Sequence, residues 1–497
     1  MDVISTRNKN IKMPALGAVL KGIAGDGGLF VPETFPVLDI GKIIKLSEKG
    51  YAHTAAEVLS MFFDIPKDEL LALAVDAYAG FDTTQVAPLA ALDGAYIMEL
   101  WHGPTLAFKD MALQVLPRLM QKAMRRQPDG KKVLILTATS GDTGKAAMEG
   151  FRDVDGTAIV VLFPSRGVSD MQKLQMVTQE GGNVLACAVH GNFDDAQTGV
   201  KELFADEAFT KEILDAGYHL SSANSINFGR LVPQIAYYVY AYAKLAAEKK
   251  VVPGGLIDIV VPTGNFGNIL AAYYAKQMGL PVRRLVCASN RNNVLTDFFN
   301  RGEYSANRDF YKTMSPSMDI LISSNLERLL FELCDRDEAA VSAWMDSLKK
   351  QGEYKVPQSV VEKMKVDFWA DYCDDEKTAQ TIKDVFEEYG YLLDTHTAVA
   401  WAVYEEYLRG EKDPLPTVVA STANPFKFVP DVLGSLTGEE PAGDIFEQAG
   451  TLAALAHTEV PGRIAELKTK QVRHTGAIEK SELKEMIRAF VEEINGR

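Results

Sequence analysis

The sequence predicts an α/β fold built on parallel sheets covered by helices. Short apolar runs rich in β-branched residues alternate with helical patterns from about residue 131 onward. These runs are continuously apolar rather than alternating, as expected of strands buried on both faces. Turns rich in glycine and hydroxyl residues follow several of them.

Taken in order, residues 1–90 form a mixed leader punctuated by "GDGGLFVPETFP" and are assigned to a separate first domain. "KKVLILTAT" (131–139) reads as a buried strand, and "SGDTGKAAMEGF" opens a helix after it. "AIVVLFP" (158–164) and "NVLACAV" (183–189) repeat the pattern, followed by the helical "SDMQKLQMVTQE" and "DDAQTGVKELF". "LIDIVVPT" (256–263), the helical "GNFGNILAAYYAKQM" and "VRRLVCAS" (282–289) continue it. Residues from about 300 to 390 read as a polar, acidic, helical insertion without a strand, its charge runs "DYCDDEK" and "EEY" taken as solvated faces. "THTAVAWAVYEEYLRG" and "PTVVAST" (416–422) return to the α/β pattern, so 91–435 is read as one region. Residues 436–497 form a helical tail expected to pack on that region.

At 497 residues the chain exceeds one typical core. A net charge of -15 argues against nucleic acid and against an anionic membrane surface. No apolar run is long enough to span a bilayer. The first residues lack the apolar core of an export signal, so a cytoplasmic protein is expected. Cys187, Cys287, Cys334 and Cys373 are widely spaced without a CxxC pair, which fits reduced thiols and no metal site.

Three turns carry candidate chemistry. In "TATSGDTGKAA", Ser140, Gly141, Asp142 and Thr143 place hydroxyls and N–H groups at a helix start, suited to a carboxylate or oxyanion. A phosphate-binding Walker loop is excluded by spacing, because Thr139 and Ala146 stand where Gly and Ser/Thr are required. In "PTGNFGN", Gly264 and Gly267 let the backbone of Gly264, Asn265, Phe266, Gly267 and Asn268 approach one anion. In "SSANSINFGR", Asn224, Ser225, Asn227 and Arg230 converge near a helix start as a second anion-binding group, Arg offering a planar fork for phosphate. A capped helix after a strand accounts for each turn taken singly.

Lys109 in "HGPTLAFKDMALQ" joins them. It follows an apolar Leu106-Ala107-Phe108 step at a helix start, where burial disfavours the charged amine. A lysine beside a phosphate cradle is the requirement of pyridoxal 5'-phosphate, and a second cradle implies a phosphorylated substrate.

These motifs, with "ISTR", "AVLKGIAGDGGLFVPETFP", "SINFGRLVPQ", "VPTGNFGN" and "STANPFKF", resemble in order and spacing the threonine synthase family. The resemblance runs nearly end to end. It implies fold type II (tryptophan synthase β-like), with two three-layer αβα domains. It implies Lys109 as the Schiff-base lysine and Gly264 to Asn268 as the cofactor phosphate loop. Thr422 would face the pyridine nitrogen and Asp142 the phenolic oxygen. Ser140, Gly141 and Thr143 would take the substrate carboxylate, and Asn224, Ser225 and Arg230 its phosphate. The implied reaction converts O-phospho-L-homoserine and water to L-threonine and phosphate in a monomer or homodimer. A dehydratase or phospholyase on the same fold is the alternative, and a non-catalytic binding homologue the reading from another class. Gly25 and Asn424 depart from the family pattern, which has proline and often histidine there.

Overall fold

Two parallel sheets organise the chain, and the computed structural model describes residues 1–139, 141–165, 168–191 and 193–496. The first sheet has five parallel strands in the spatial order Ala477–Ile478, Val184–Val189, Thr157–Pro164, Lys132–Ala138 and Tyr218–Ser221. The second has six: Phe368–Tyr372, Val282–Ser289, Ile257–Pro262, Thr417–Ser421, Ala95–Glu99 and Leu89–Leu92. All pair in parallel except the last, an antiparallel edge. The six strands expected from the apolar runs are all present, each starting or ending within about a residue or two of the run, as is usual for such assignments.

The central strands are buried along their whole length, as Thr157–Pro164 and Ile257–Pro262 show. Between the sheets runs the long helix Phe228–Ala247, buried over most of its surface and packed with residues of the first 80 positions. Those first residues contribute an antiparallel sheet, Lys12–Pro14, Asp2–Ser5 and Phe30–Pro32. Arg7 grips Glu327 with two hydrogen bonds (2.9 and 2.7 Å), and the buried Arg328 donates to the carbonyls of Phe30 (2.9 Å) and Ile226 (2.6 Å). The leader is thereby tied to the helix Leu326–Leu333 and to the turn before Phe228.

The region 300–390 departs from expectation. It is rich in helices but contains three strands: Glu303–Ser305 pairs with Glu353–Lys355, and Phe368–Tyr372 completes the six-stranded sheet beside Val282–Ser289. Phe368–Tyr372 lies at a sheet edge and is partly exposed, so its residues lack the continuous apolar signature of the central strands. The run "DYCDDEK" is a strand end, a buried Cys373 and a helix cap, and its charges Asp374, Glu376 and Lys377 are exposed as expected. Asp374 accepts from the Lys377 N–H at the start of Asp375–Tyr389.

The tail is helical, with one short strand that the sequence pattern does not announce. Ala477–Ile478 extends the first sheet, and Leu483, Ile487, Phe490 and Val491 of the last helix join that sheet's core. Among the described residues no helix is long and apolar enough to cross a membrane.

Two helices fix where Lys109 and Asp142 stand: Asp110–Leu113, which begins after Lys109, and Asp142–Phe151. They touch where Gly150 faces the Leu113 carbonyl oxygen, and a side-chain carbon at Gly150 would collide with it. We expect Gly150→Ala to destabilise the chain by about 1–3 kcal/mol, the usual penalty for overpacking a close contact. An unchanged urea midpoint would mean that the two helices are not in contact there.

Candidate active site

Lys109 is positioned by a backbone ladder. Phe108 N–H donates to the Thr422 carbonyl (2.8 Å), Asn424 N–H donates to the Leu106 carbonyl (3.0 Å), and Ala107 bridges Ala423. The stretch 106–108 thus lies alongside 422–424, at the carboxyl end of Thr417–Ser421, and Thr422 neighbours Lys109. Leu106 has φ of 59°, a left-handed conformation uncommon for a branched residue and often found at functional sites. Behind Lys109, buried Asp110 accepts from both the N–H and the hydroxyl of Thr105 (2.8 Å each). Burial raises the Asp110 carboxyl to about 6, against the pull of those two donors. Asn424 caps the turn Pro425–Phe428 by accepting from the Phe426 N–H.

The Lys109 amine faces an ion pair. Its Nζ lies 3.6 Å from Asp142 Oδ2 and donates to Ser317 Oγ at 3.2 Å. The other Asp142 oxygen, Oδ1, is held by Lys427 Nζ (2.9 Å) and Gln172 Nε2 (3.0 Å). Burial lowers the Lys109 ammonium to about 8; Asp142 opposes the shift, while Lys427 and Arg230 add to it. Burial by itself would raise Asp142, but the charges of Lys427 and then Lys109 prevail and hold it below the usual carboxylate range.

The 264–268 loop has the shape expected of an anion cradle. Phe266 adopts a left-handed conformation (φ 64°, ψ 0°) as N-cap of the helix Gly267–Gln277, and no side chain caps that helix. Its first-turn N–H groups therefore face outward as an anion site. Asn268 Oδ1 accepts from the hydroxyls of Tyr237 and Tyr238 (2.5 Å each), which orients the amide, and its buried Nδ2 has no partner among the described residues.

A segment from the 300–390 region closes on this loop. A side-chain carbon at Gly264 would lie 2.7 Å from the Ser317 carbonyl oxygen. Ser323 Oγ donates to the Gly264 carbonyl (2.7 Å), and Asn325 donates to the Asn265 carbonyl from both its N–H (3.1 Å) and its Nδ2 (3.0 Å). Ser317 N–H donates to His396 Nε2 (3.1 Å), whose Nδ1 meets Asp394 at 3.0 Å.

Arg230 makes the second anion-binding group. It stands in the first turn of Phe228–Ala247, where Asn227 caps the helix through the Gly229 N–H. It is 3% exposed, and its Nη1 donates to the Ala223 carbonyl (2.8 Å) while the buried Nε has no partner. Burial lowers it to about 10, which leaves it charged at neutral pH. Among the described residues no carboxylate pairs with it. Ser225 Oγ lies 3.2 Å from Ser324 Oγ, which reaches Asn265 Oδ1 at 3.3 Å, so the two cradles are adjacent. Asn224 is half-buried in the same turn.

Of the carboxylate turn, Ser140 lies outside the described residues. Gly141 N–H is taken by Thr139 Oγ1 (3.0 Å), and Thr143 is half-buried in the first turn of its helix. Lys145, the lysine of "GDTGK", is buried with Glu149 and Gln179, an internal ion pair rather than a phosphate ligand.

Sequence reasoning passed over Ser317, His396, Gln172 and Lys427. Ser317 and His396 belong to no recognisable motif. Lys427 carries the signal that singled out Lys109, a lysine set among aromatics in "PFKF".

A family model described as "Threonine synthase N terminus" matches residues 2–78, and one described as "Pyridoxal-phosphate dependent enzyme" matches residues 81–422. Threonine synthase of Pseudomonas aeruginosa is 39% identical over 456 residues, covering 90% of this chain and 94% of that protein. The chain belongs to the threonine synthase family. Human "Threonine synthase-like 1" is 41% identical over 436 residues, 85% of this chain; the match spans only 58% of that protein. The crystal structure of PLP-bound threonine synthase from Brucella melitensis superposes with a TM-score of 0.87 at 37% identity, covering 99% of both chains.

As a pyridoxal-phosphate dependent member of the threonine synthase family, the chain has pyridoxal 5'-phosphate as its cofactor. The residues fit that group: an uncapped helix start and an orphaned Asn268 amide for the phosphate, and a depressed amine for the aldehyde. The amine gives a prediction of its own. In the cofactor-free chain, acetylation of Lys109 by acetic anhydride should rise about tenfold per pH unit up to about 8 and then level off, because only the unprotonated amine reacts. A midpoint near 10.5, the ordinary lysine value, would contradict the burial and charges described.

Proposed function

We propose that the chain converts O-phospho-L-homoserine and water into L-threonine and phosphate, with pyridoxal 5'-phosphate held through Lys109. The observation that carries this reading is the buried guanidinium of Arg230, which no carboxylate pairs among the described residues and whose Nε is left free there, beside the 264–268 loop and distinct from it. A cofactor phosphate needs one cradle, so a second one with a charged fork supports a substrate bearing its own phosphate.

In this reading Gly264, Asn265, Phe266, Gly267 and Asn268 hold the cofactor phosphate. Thr422 takes the pyridine nitrogen, and as a neutral hydroxyl it leaves that nitrogen less firmly protonated than a carboxylate would. Asp142 would stand near the phenolic oxygen of the bound cofactor. When bound, pyridoxal 5'-phosphate supplies an aldehyde and an electron sink for charge developing at the substrate Cα. Ser140, Gly141 and Thr143 bind the substrate carboxylate and fix which face of Cα is presented. Lys109, with its proton affinity lowered to about 8, takes protons from Cα and Cβ and returns protons at Cγ, left by the departing phosphate, and at Cα near neutral pH. Arg230, with Asn224 and Ser225, holds the γ-phosphate and stabilises the charge that grows on it as it leaves. Water then adds at Cβ, completing the hydroxyl of threonine.

Lys109→Ala should remove turnover and the visible absorbance of the bound cofactor together; a variant retaining both would exclude Lys109 from its role. Arg230→Met should raise KM for O-phosphohomoserine by about 10- to 100-fold, the loss of a charge-assisted hydrogen bond. Cofactor occupancy should hardly change. If occupancy fell instead, the two anion cradles would be assigned the wrong way round. Incubation with O-phosphohomoserine should yield phosphate and threonine in equal amounts. Ammonia and 2-oxobutyrate in place of threonine would make the chain a phospholyase.

A further inference from the structure

Lys427 is a fully buried charge at the site, with its side chain 0% exposed. It stands in the turn Pro425–Phe428 between two buried phenylalanines, which shield its ammonium from bulk solvent. It donates to the Thr105 carbonyl (2.7 Å) and to Gln175 Oε1 (3.2 Å), and its third contact is Asp142 Oδ1 at 2.9 Å. Asp142 is thus gripped from opposite oxygens, tightly by Lys427 and more loosely by Lys109, 3.6 Å from Oδ2.

This asymmetry has a chemical use. A carboxylate facing a lone buried lysine would hold it protonated, and a protonated amine is neither a nucleophile nor a base. A second cation on the same carboxylate draws most of that attraction elsewhere. We propose that Lys427 is a positioning residue that neutralises Asp142 from behind, so that Lys109 faces a weakened anion and releases its proton for chemistry. The charged groups acting on Lys109 are Asp142 from the helix Asp142–Phe151, Lys427 from the 425–428 turn and Arg230 from the helix Phe228–Ala247. Ser317 Oγ adds a neutral acceptor, and Asp110 lies within reach of Lys427's field. Of these, Lys427 and Asp142 form the contact pair whose removal has opposite consequences. Loss of Lys427 removes a repulsion and exposes an anion, both of which hold the proton on Lys109. Loss of the Asp142 charge leaves Lys427 and Arg230 unopposed, which drives that proton off. A purely structural role for Lys427 predicts no such pair of opposed shifts.

The proposal rests on Lys109 as the cofactor-linking lysine and does not depend on the choice of substrate. The test strips the full-length chain of cofactor and follows the rate of reloading with pyridoxal 5'-phosphate against pH, with borohydride trapping and peptide mapping to locate the link. Wild-type chain should trap at Lys109 with a midpoint near 8. Lys427→Met should move the midpoint upward by about one to three pH units, Asp142→Asn should move it downward, and Lys427→Arg should restore it close to wild type. Lys427→Arg keeps the charge and nearly the volume, so it reports even if Lys427→Met fails to fold; a midpoint raised as far in Lys427→Arg as expected for loss of the charge overturns the proposal. An unmoved midpoint in folded Lys427→Met, or shifts of the same sign in Lys427→Met and Asp142→Asn, overturns it too. Trapping of wild type at another lysine would instead overturn the reading of Lys109 itself, an outcome distinguishable because it appears before any substitution is made.

Discussion

Three charges from distant parts of the chain, Lys109, Asp142 and Lys427, share a largely buried volume, and the site depends on their balance. Burying any one of them alone is costly, and removing a partner from such a group strands the others. The carboxylate is helped by its place in the first turn of a helix, where the backbone dipoles favour negative charge. Gln172 adds a neutral donor to the oxygen that Lys427 holds. The arrangement leaves one member, Lys109, with its proton loosely held, and that is the member that meets Ser317 beside the 264–268 loop.

The fold delivers these groups by a simple geometric rule. Ligands in open parallel sheets collect at the carboxyl ends of strands, where loops meet helix starts. Asp142 follows the strand Lys132–Ala138, the 264–268 cradle follows Ile257–Pro262, and Thr422 and Lys427 follow Thr417–Ser421. Lys109 comes after the strand Ala95–Glu99 and is pinned to the 422–424 backbone. Two residues hold left-handed backbone at this place, Leu106 ahead of the lysine and Phe266 inside the cradle. Such conformations persist where the surroundings over-determine them, and here ladder hydrogen bonds and a buried aromatic ring do so.

The 300–390 region is part of this machinery rather than decoration. Through Ser317 it touches Lys109, through Ser323 and Asn325 it closes on Gly264 and Asn265, and through Ser324 it reaches the Arg230 side. His396 and Asp394 fix the Ser317 backbone from the opposite face. The leader takes part through Arg328, whose guanidinium spans the Phe30 and Ile226 carbonyls and so braces the turn before Arg230. Sheet, insertion and leader therefore converge on one constellation from three directions.

Much of this was legible in the chain itself. The buried central strands announce themselves because a strand covered on both faces must be apolar throughout. The turns carrying Gly141, Gly264 and Arg230 are readable because glycines, hydroxyls and a helix start have few other uses at a strand end. Lys109 stood out as a charge set among apolar neighbours. The edge strands Phe368–Tyr372 and Ala477–Ile478 were not legible, since a half-exposed edge needs no continuous apolar run. Nor was the role of Asn424, which became a helix cap once its turn was folded. The sequence by itself determined the strand–helix alternation and singled out the glycine- and arginine-bearing turns and one lysine set among apolar residues, because each is written in residues close together in the chain. Which charges would surround that lysine was decided by tertiary structure alone, because Asp142, Lys427, Arg230 and Ser317 are brought within electrostatic range only when both sheets and the insertion close around one point.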